Sequence, residues 1–255
     1  MNFKIAAHTD IGIKKSTNQD SVLVKAAQTD YGKVMLAVVC DGMGGLAKGE
    51  LASATVIRML SKWFEEDFPK MLYQGISIEN LKEVMGNLIY DANDKISKYG
   101  NALHVSMGTT LVMILIVGNV YYIVNVGDSR VYFLKEQTSQ ITHDQTFIQR
   151  EMDMGRMTWD EARRDPRRNV LLQCIGASEI IVPDYYTGTL DTGTMILLCS
   201  DGFRHVISQD ELYEHLNPYR LFNEQTMQEG LVYLTELNKN RKEVDNISAV
   251  LIRAD

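Results

Sequence analysis

Val34-Met-Leu-Ala-Val-Val-Cys-Asp41-Gly42 is an unbroken apolar run that ends in an aspartate beside a glycine. It reads as a buried strand that stops at an acid. Two other runs end the same way: Val120-Tyr-Tyr-Ile-Val-Asn-Val-Gly127-Asp128 and Met195-Ile-Leu-Leu-Cys-Ser-Asp201-Gly202. Two further acids stand just before apolar runs, Asp20 ahead of Ser21-Val-Leu-Val and Asp245 ahead of Asn246-Ile-Ser-Ala-Val-Leu-Ile. In an antiparallel sheet the end of one strand lies beside the start of its neighbour. Acids that follow some strands and precede others can therefore gather on one edge. Gathered carboxylates repel one another unless cations neutralise them. Hard oxygen ligands select magnesium, manganese or calcium over zinc or copper.

Working outward, Lys4 to Ala7 and Ser21 to Ala26 read as short strands around a loop. Gly49 to Phe64 has helical spacing of Leu51, Ala54, Val56, Ile57, Leu60 and Phe64. Leu81 to Ile96 repeats that pattern, and both stripes read as core packing. A meander follows, Thr110–Val117, Val120–Val126 and Val131–Leu134. Thr109 to Val126 has the apolarity of a membrane span, but Gly118-Asn119 breaks it with a hairpin turn signal. Residues 143–178 are polar, with short helical patches and the run Arg163-Arg164-Asp165-Pro166-Arg167-Arg168, and read as an excursion from the main sheet. Strands resume at Ile180–Tyr186, Met195–Cys199 and Ile247–Ile252, with a helix at Glu224–Asn238. Strands and helices in separate blocks indicate an α+β fold rather than alternating βαβ units. Strands apolar on both sides call for two mainly antiparallel sheets packed face to face and flanked by helices, a four-layer α-β-β-α sandwich.

Composition narrows the function. The 255 residues are 45% hydrophobic and 23% charged, with a net charge of −7. No broad basic footprint for nucleic acid exists. The three cysteines, Cys40, Cys174 and Cys199, form no CxxC, and their odd number points to a reducing compartment. Cys40 and Cys199 read first as small buried hydrophobes, with a redox-sensitive thiol as the alternative. The first residues lack the apolar core of a signal peptide.

Asp41-Gly-Met-Gly-Gly45, Met107-Gly-Thr-Thr-Leu111, Val126-Gly-Asp-Ser-Arg130, Ser200-Asp-Gly202 and Asp245-Asn246 resemble, in order and rough spacing, the motifs of the metal-dependent protein phosphatases, the protein phosphatase 2C family. Asn18-Gln19-Asp20 resembles that family's opening Asn-Glu-Asp. His143-Asp144 and Arg167-Arg168-Asn169 resemble segments of its bacterial members. The resemblance implies one catalytic domain over 1–255 with a flap at about 143–178. It implies hydrolysis of phosphoserine and phosphothreonine in proteins with two Mn2+ or Mg2+ ions and a third, weaker ion. Carried over, Asp41 bridges both ions, with the carbonyl of Gly42 on one. Asp201 and Asp245 complete the first ion, Asp128 with Asp201 holds the third, and Asp20 acts behind them. Physical chemistry agrees: a phosphate dianion repels hydroxide, and two divalent ions about 4 Å apart remove that barrier. Glycines at 42, 44 and 45 allow close backbone approach.

Two positions depart from the family pattern. Lys15 stands where an arginine usually grips the substrate phosphate, and Gln19 replaces the Glu. Lysine is a point charge without a planar fork. Lys14 is an adjacent rival, and a solvated surface lysine is the bland reading of Lys15. Met43 occupies the place of a histidine found in animal members and cannot donate a proton. His143, like His8, His104, His205 and His215, reads as structural. The arginine run reads first as a solvated, ion-paired face and second as a surface for phosphopeptides. Expected partners are phosphorylated proteins, a serine/threonine kinase and its substrates, with neither nucleic acid nor membrane. A cytoplasmic monomer is expected. The alternatives are a phosphoprotein-binding pseudophosphatase and a hydrolase of small phosphate esters.

Overall fold

The computed structural model describes residues 1–43 and 48–255. Gly44 and Gly45, which the sequence reading puts beside the metals, lie outside the described residues. In chain order the elements are β1 (Phe3–Asp10), β2 (Ser21–Thr29), β3 (Gly32–Cys40), α1 (Gly49–Glu66), α2 (Phe68–Gln74), α3 (Ile78–Leu103), β4 (Leu111–Val117), β5 (Val120–Val126), β6 (Arg130–Leu134) and β7 (Thr138–Gln140). They continue with α4 (Phe147–Asp153), α5 (Trp159–Arg164), β8 (Asp184–Thr189), β9 (Met195–Cys199), α6 (Asp201–Arg204), α7 (Gln209–Leu216), α8 (Glu224–Asn240) and β10 (Ile247–Ala254).

Side chains on a strand alternate between its faces, so an apolar run serves two cores at once. On β3, Val34, Leu36, Val38 and Cys40 pack toward α1, α2 and α3, while Met35, Ala37 and Val39 pack against the opposite sheet. On β9, Met195, Leu197 and Cys199 meet α7 and α8, and Ile196 and Leu198 face the sheet interface. Three apolar layers therefore separate four structural ones, the expected α-β-β-α sandwich. One sheet has the order β1-β10-β9-β6-β7 and the other β2-β3-β4-β5-β8. Every ladder is antiparallel.

Three differences from the sequence reading have local causes. The strand expected at Ile180–Tyr186 begins instead at Asp184, directly after Pro183, which has no N–H to give a ladder. Ile180 and Val182 are left exposed. The helix expected at Leu81–Ile96 extends to Ile78 because the Ser77 side chain accepts from Asn80 N and caps it. The short edge strand β7 carries no apolar signal; its backbone pairs with β6 through Tyr132, Phe133 and Leu134.

Residues 143–178 add no strand to either sheet. Isolated bridges tie them down, Thr146 to Leu171 and Thr109 to Ile175. Two arginines of the basic run are engaged locally. Arg167 makes a double contact with Asp165, and Arg163 lies over the Trp159 ring at 4.7 Å. Glu161 is used in a capping box with Thr158 instead of an arginine pair.

Candidate metal centre

Register explains why distant acids meet. Ser21 pairs with Cys40, so Asp20 and Asp41 are the next residues on adjoining strands. Arg130 pairs with Cys199, which sets Asp128 beside Asp201. Ala249 also pairs with Cys199, so the start of β10, with Asp245 just ahead of it, joins the same edge. One rim of the sandwich thus receives the ends of β3 and β9 and the starts of β2, β6 and β10.

The backbone at Asp41 is pinned. Its N–H donates to Thr110 Oγ1 at 2.9 Å, and its carbonyl accepts from Thr110 N and Thr109 Oγ1, both at 2.9 Å. Gly42 N donates to the Gln19 carbonyl at 3.1 Å. A Cβ on Gly42 would meet that carbonyl oxygen at 2.4 Å and the Gly49 carbonyl oxygen at 2.5 Å, so no side chain fits. A Cβ on Gly202 would meet the Asn246 carbonyl oxygen at 2.2 Å, so α6 can start hard against the Asp245 loop only with glycine there. Asn246 joins this loop to residues 11–19. Its Nδ2 donates to the carbonyls of Ile11 and Thr17, and its Oδ1 accepts from Gln19 N.

The electrostatics are those of like charges held together. Burial lifts the Asp41 carboxyl well above the ordinary range, and Asp20, Asp201, Asp245 and Asp128 push it further. Burial raises Asp20 to about 7, with Asp201 and Asp245 adding to it, although the Ser248 and Ser200 hydroxyls pull it back. Asp128 is also raised to about 7, by burial and Asp201 against the pull of Arg204. Among the described residues the acids face one another without closing into a group of three round one point. Lys15 holds Asp245 in an ion pair at 2.7 Å. The donor set still suits a hard cation. Asp20 Oδ1 and Asp201 Oδ1 are buried without a hydrogen-bond partner, and a buried carboxylate oxygen demands one.

The sequence-predicted residues are brought together: Asp20, Asp41, Gly42, Asp128, Asp201, Asp245 and Lys15 line this rim. Burial works against the Lys15 ammonium, but the bond to Asp245, with Asp41 and Asp201 behind it, keeps its pKa above the usual value. Lys14 is exposed. His143 pairs instead with Asp153, at 2.7 Å. Cys40 and Cys199 are fully buried, and burial pushes both thiols up, Cys199 to about 12, which suits small neutral hydrophobes.

Three residues that the sequence reading did not assign to the site also reach it. His205, taken there as structural, stands 3.5 Å from both Asp201 and Glu243. Glu243 accepts from the backbone N–H of Val244 and Asp245, which anchors the loop that presents Asp245. Arg204 touches Asp128. A usable signal existed for His205, since a residue four places after Asp201 on a helix shares its face.

Comparison with known proteins follows the same lines. A model of the family described as protein phosphatase 2C matches residues 12–240. The serine/threonine phosphatase stp of Listeria monocytogenes is 30% identical over 224 residues, which span 86% of this chain and 84% of that one. A crystal structure of a serine/threonine phosphatase from Staphylococcus aureus has a TM-score of 0.86 at 28% identity and covers 100% of this chain and 96% of its own. The catalytic domain of the phosphatase PstP, solved in complex with two manganese ions, has a TM-score of 0.78 at 30% identity over 99% of each chain.

Proposed function

This chain belongs to the protein phosphatase 2C family, and from that premise we propose that it hydrolyses phosphoserine and phosphothreonine in proteins with divalent metal ions at the carboxylate rim. The observation that carries the reading is the convergence of Asp20, Asp41, Asp201 and Asp245 at one sheet edge, where Lys15 pairs with Asp245 but Asp20 and Asp41 are crowded by like charge. Asp41, the Gly42 carbonyl, Asp201 and Asp245 would hold the ions, which are Mn2+ or Mg2+. When bound, the ions supply charge neutralisation and a water acidic enough to attack phosphorus.

The chain's own residues do the rest. Asp20, fixed by the Ser200 hydroxyl at 2.9 Å, keeps one oxygen free to accept a proton from water at the rim. Lys15 sits at the mouth, partly exposed, where its ammonium can leave Asp245 for an incoming phosphate oxygen. A lysine binds that phosphate as a point charge and so less firmly than an arginine fork. Met43 cannot protonate the leaving group, so that proton comes from metal-bound water or from another group. Free buried cysteines and the acidic balance fit a cytoplasmic monomer acting on phosphoproteins, opposite a serine/threonine kinase. Among the described residues no helix is long and apolar enough to cross a membrane.

The test is turnover of a phosphothreonine peptide and of a small phosphate ester, with manganese and with a chelator. Manganese-dependent release from the peptide, faster than from the ester, is expected. Release from the ester alone would move the chain to small-molecule chemistry. Binding of the peptide without release would make it a pseudophosphatase.

A further inference from the structure

Arg204 comes three residues after Asp201, and its side chain is 10% exposed. Nη2 donates to the Asp128 carbonyl at 2.8 Å and stands 3.4 Å from Asp128 Oδ2 and 3.3 Å from Asp144 Oδ2. Asp144 is gripped in turn by Arg130, through Nε at 2.7 Å and Nη2 at 2.6 Å. Arg130 Nη1 donates to the Tyr132 hydroxyl at 2.7 Å. The result is a buried line, Asp128, Arg204, Asp144, Arg130, in which two negative and two positive groups alternate. No comparable guanidinium touches Asp20 or Asp41 among the described residues. The carboxylate rim therefore carries a buried guanidinium at its Asp128 end, while the partly exposed Lys15 ammonium on Asp245 is the cation at the other.

We propose that Arg204 is the resident counter-ion of Asp128, so that Asp128 holds no divalent ion and metal binding is confined to the side of Asp41, Asp201 and Asp245. The inference rests on the metal-centre reading above and narrows it. A guanidinium cannot shed its charge, and moving it off Asp128 and Asp144 would strand a buried cation. A divalent ion on Asp128 would face that cation across a single carboxylate. Arg204 thus takes the place that the family resemblance gives to a third ion.

Equilibrium dialysis of the full chain against manganese, with bound metal counted per chain, tests this. Asp128→Asn should bind as many ions as the parent. Arg204→Met should bind one more, weakly, and Asp128→Asn added to Arg204→Met should abolish the extra ion. An Asp128→Asn chain that loses an ion overturns the proposal, as does a folded Arg204→Met chain with the parental count. Should Arg204→Met fail to fold by circular dichroism, the Asp128→Asn count alone decides. A parent chain that takes up no manganese overturns the metal-centre reading itself, and this inference with it.

Discussion

Asp41 combines two demands that rarely meet at one residue. Its backbone is locked by Thr109 and Thr110, and its half-buried carboxylate is crowded by four others. Asp41→Asn keeps the size and the backbone bonds and removes one charge. Turnover should fall to background, while the melting temperature without metal should equal or exceed the parent's because repulsion is relieved. An enzyme that keeps most of its activity would end the bridging role. Lys15 yields the opposite kind of change. Lys15→Arg restores a bidentate grip on phosphate, and KM for a phosphopeptide should drop with kcat little altered. An unchanged KM would take Lys15 out of substrate binding.

Helix α6 shows what an element decides. In four residues it presents Asp201 to the rim and Arg204 to Asp128, and its C-cap His205 stands between Asp201 and Glu243. Gly202 permits this by leaving room for the Asn246 carbonyl. Helix α7 next to it is stapled by charge. Glu211 closes a capping box on Ser208 and accepts from Arg241, whose Nη1 lies 3.0 Å from Oε2. The Arg241 hydrogen bond, with the Ser208 backbone, lowers the Glu211 carboxyl to about 2. Because the folded pKa lies below the ordinary 4.5, the contribution is complete above about pH 5 and fades as pH falls toward 2. Glu211→Gln should therefore cost about 0.5–1 kcal/mol at pH 7, discounted for solvent screening. In denaturant unfolding that gap should close between pH 4.5 and pH 2, as the parent itself protonates Glu211. A gap that persists at low pH would mean that the cap, not the charge, matters.

For the whole molecule, the rim stores repulsion that metal relieves. An ion that binds only the folded chain adds about 2.7 kcal/mol at a hundred times its Kd. In a chain of this length that is roughly 5–10 °C in Tm. Manganese should raise the melting temperature by that order, a chelator should reverse it, and Asp41→Asn should blunt it. A thermal scan indifferent to manganese would contradict a metal centre at this edge. Much of this was legible in the residues. Apolar runs such as Val34–Cys40 and Met195–Cys199 are apolar at both odd and even positions, which demands a core on each face, and each stops at an acid. That pattern determined the sandwich and marked Asp41, Asp128 and Asp201 as rim residues. Pairing across the chain was not legible, because a period of two records which face a side chain takes but not what lies opposite it. Only the tertiary structure set Arg204 against Asp128, 76 residues away in sequence, and Lys15 against Asp245, and so decided which carboxylates already have a cation and which still need one.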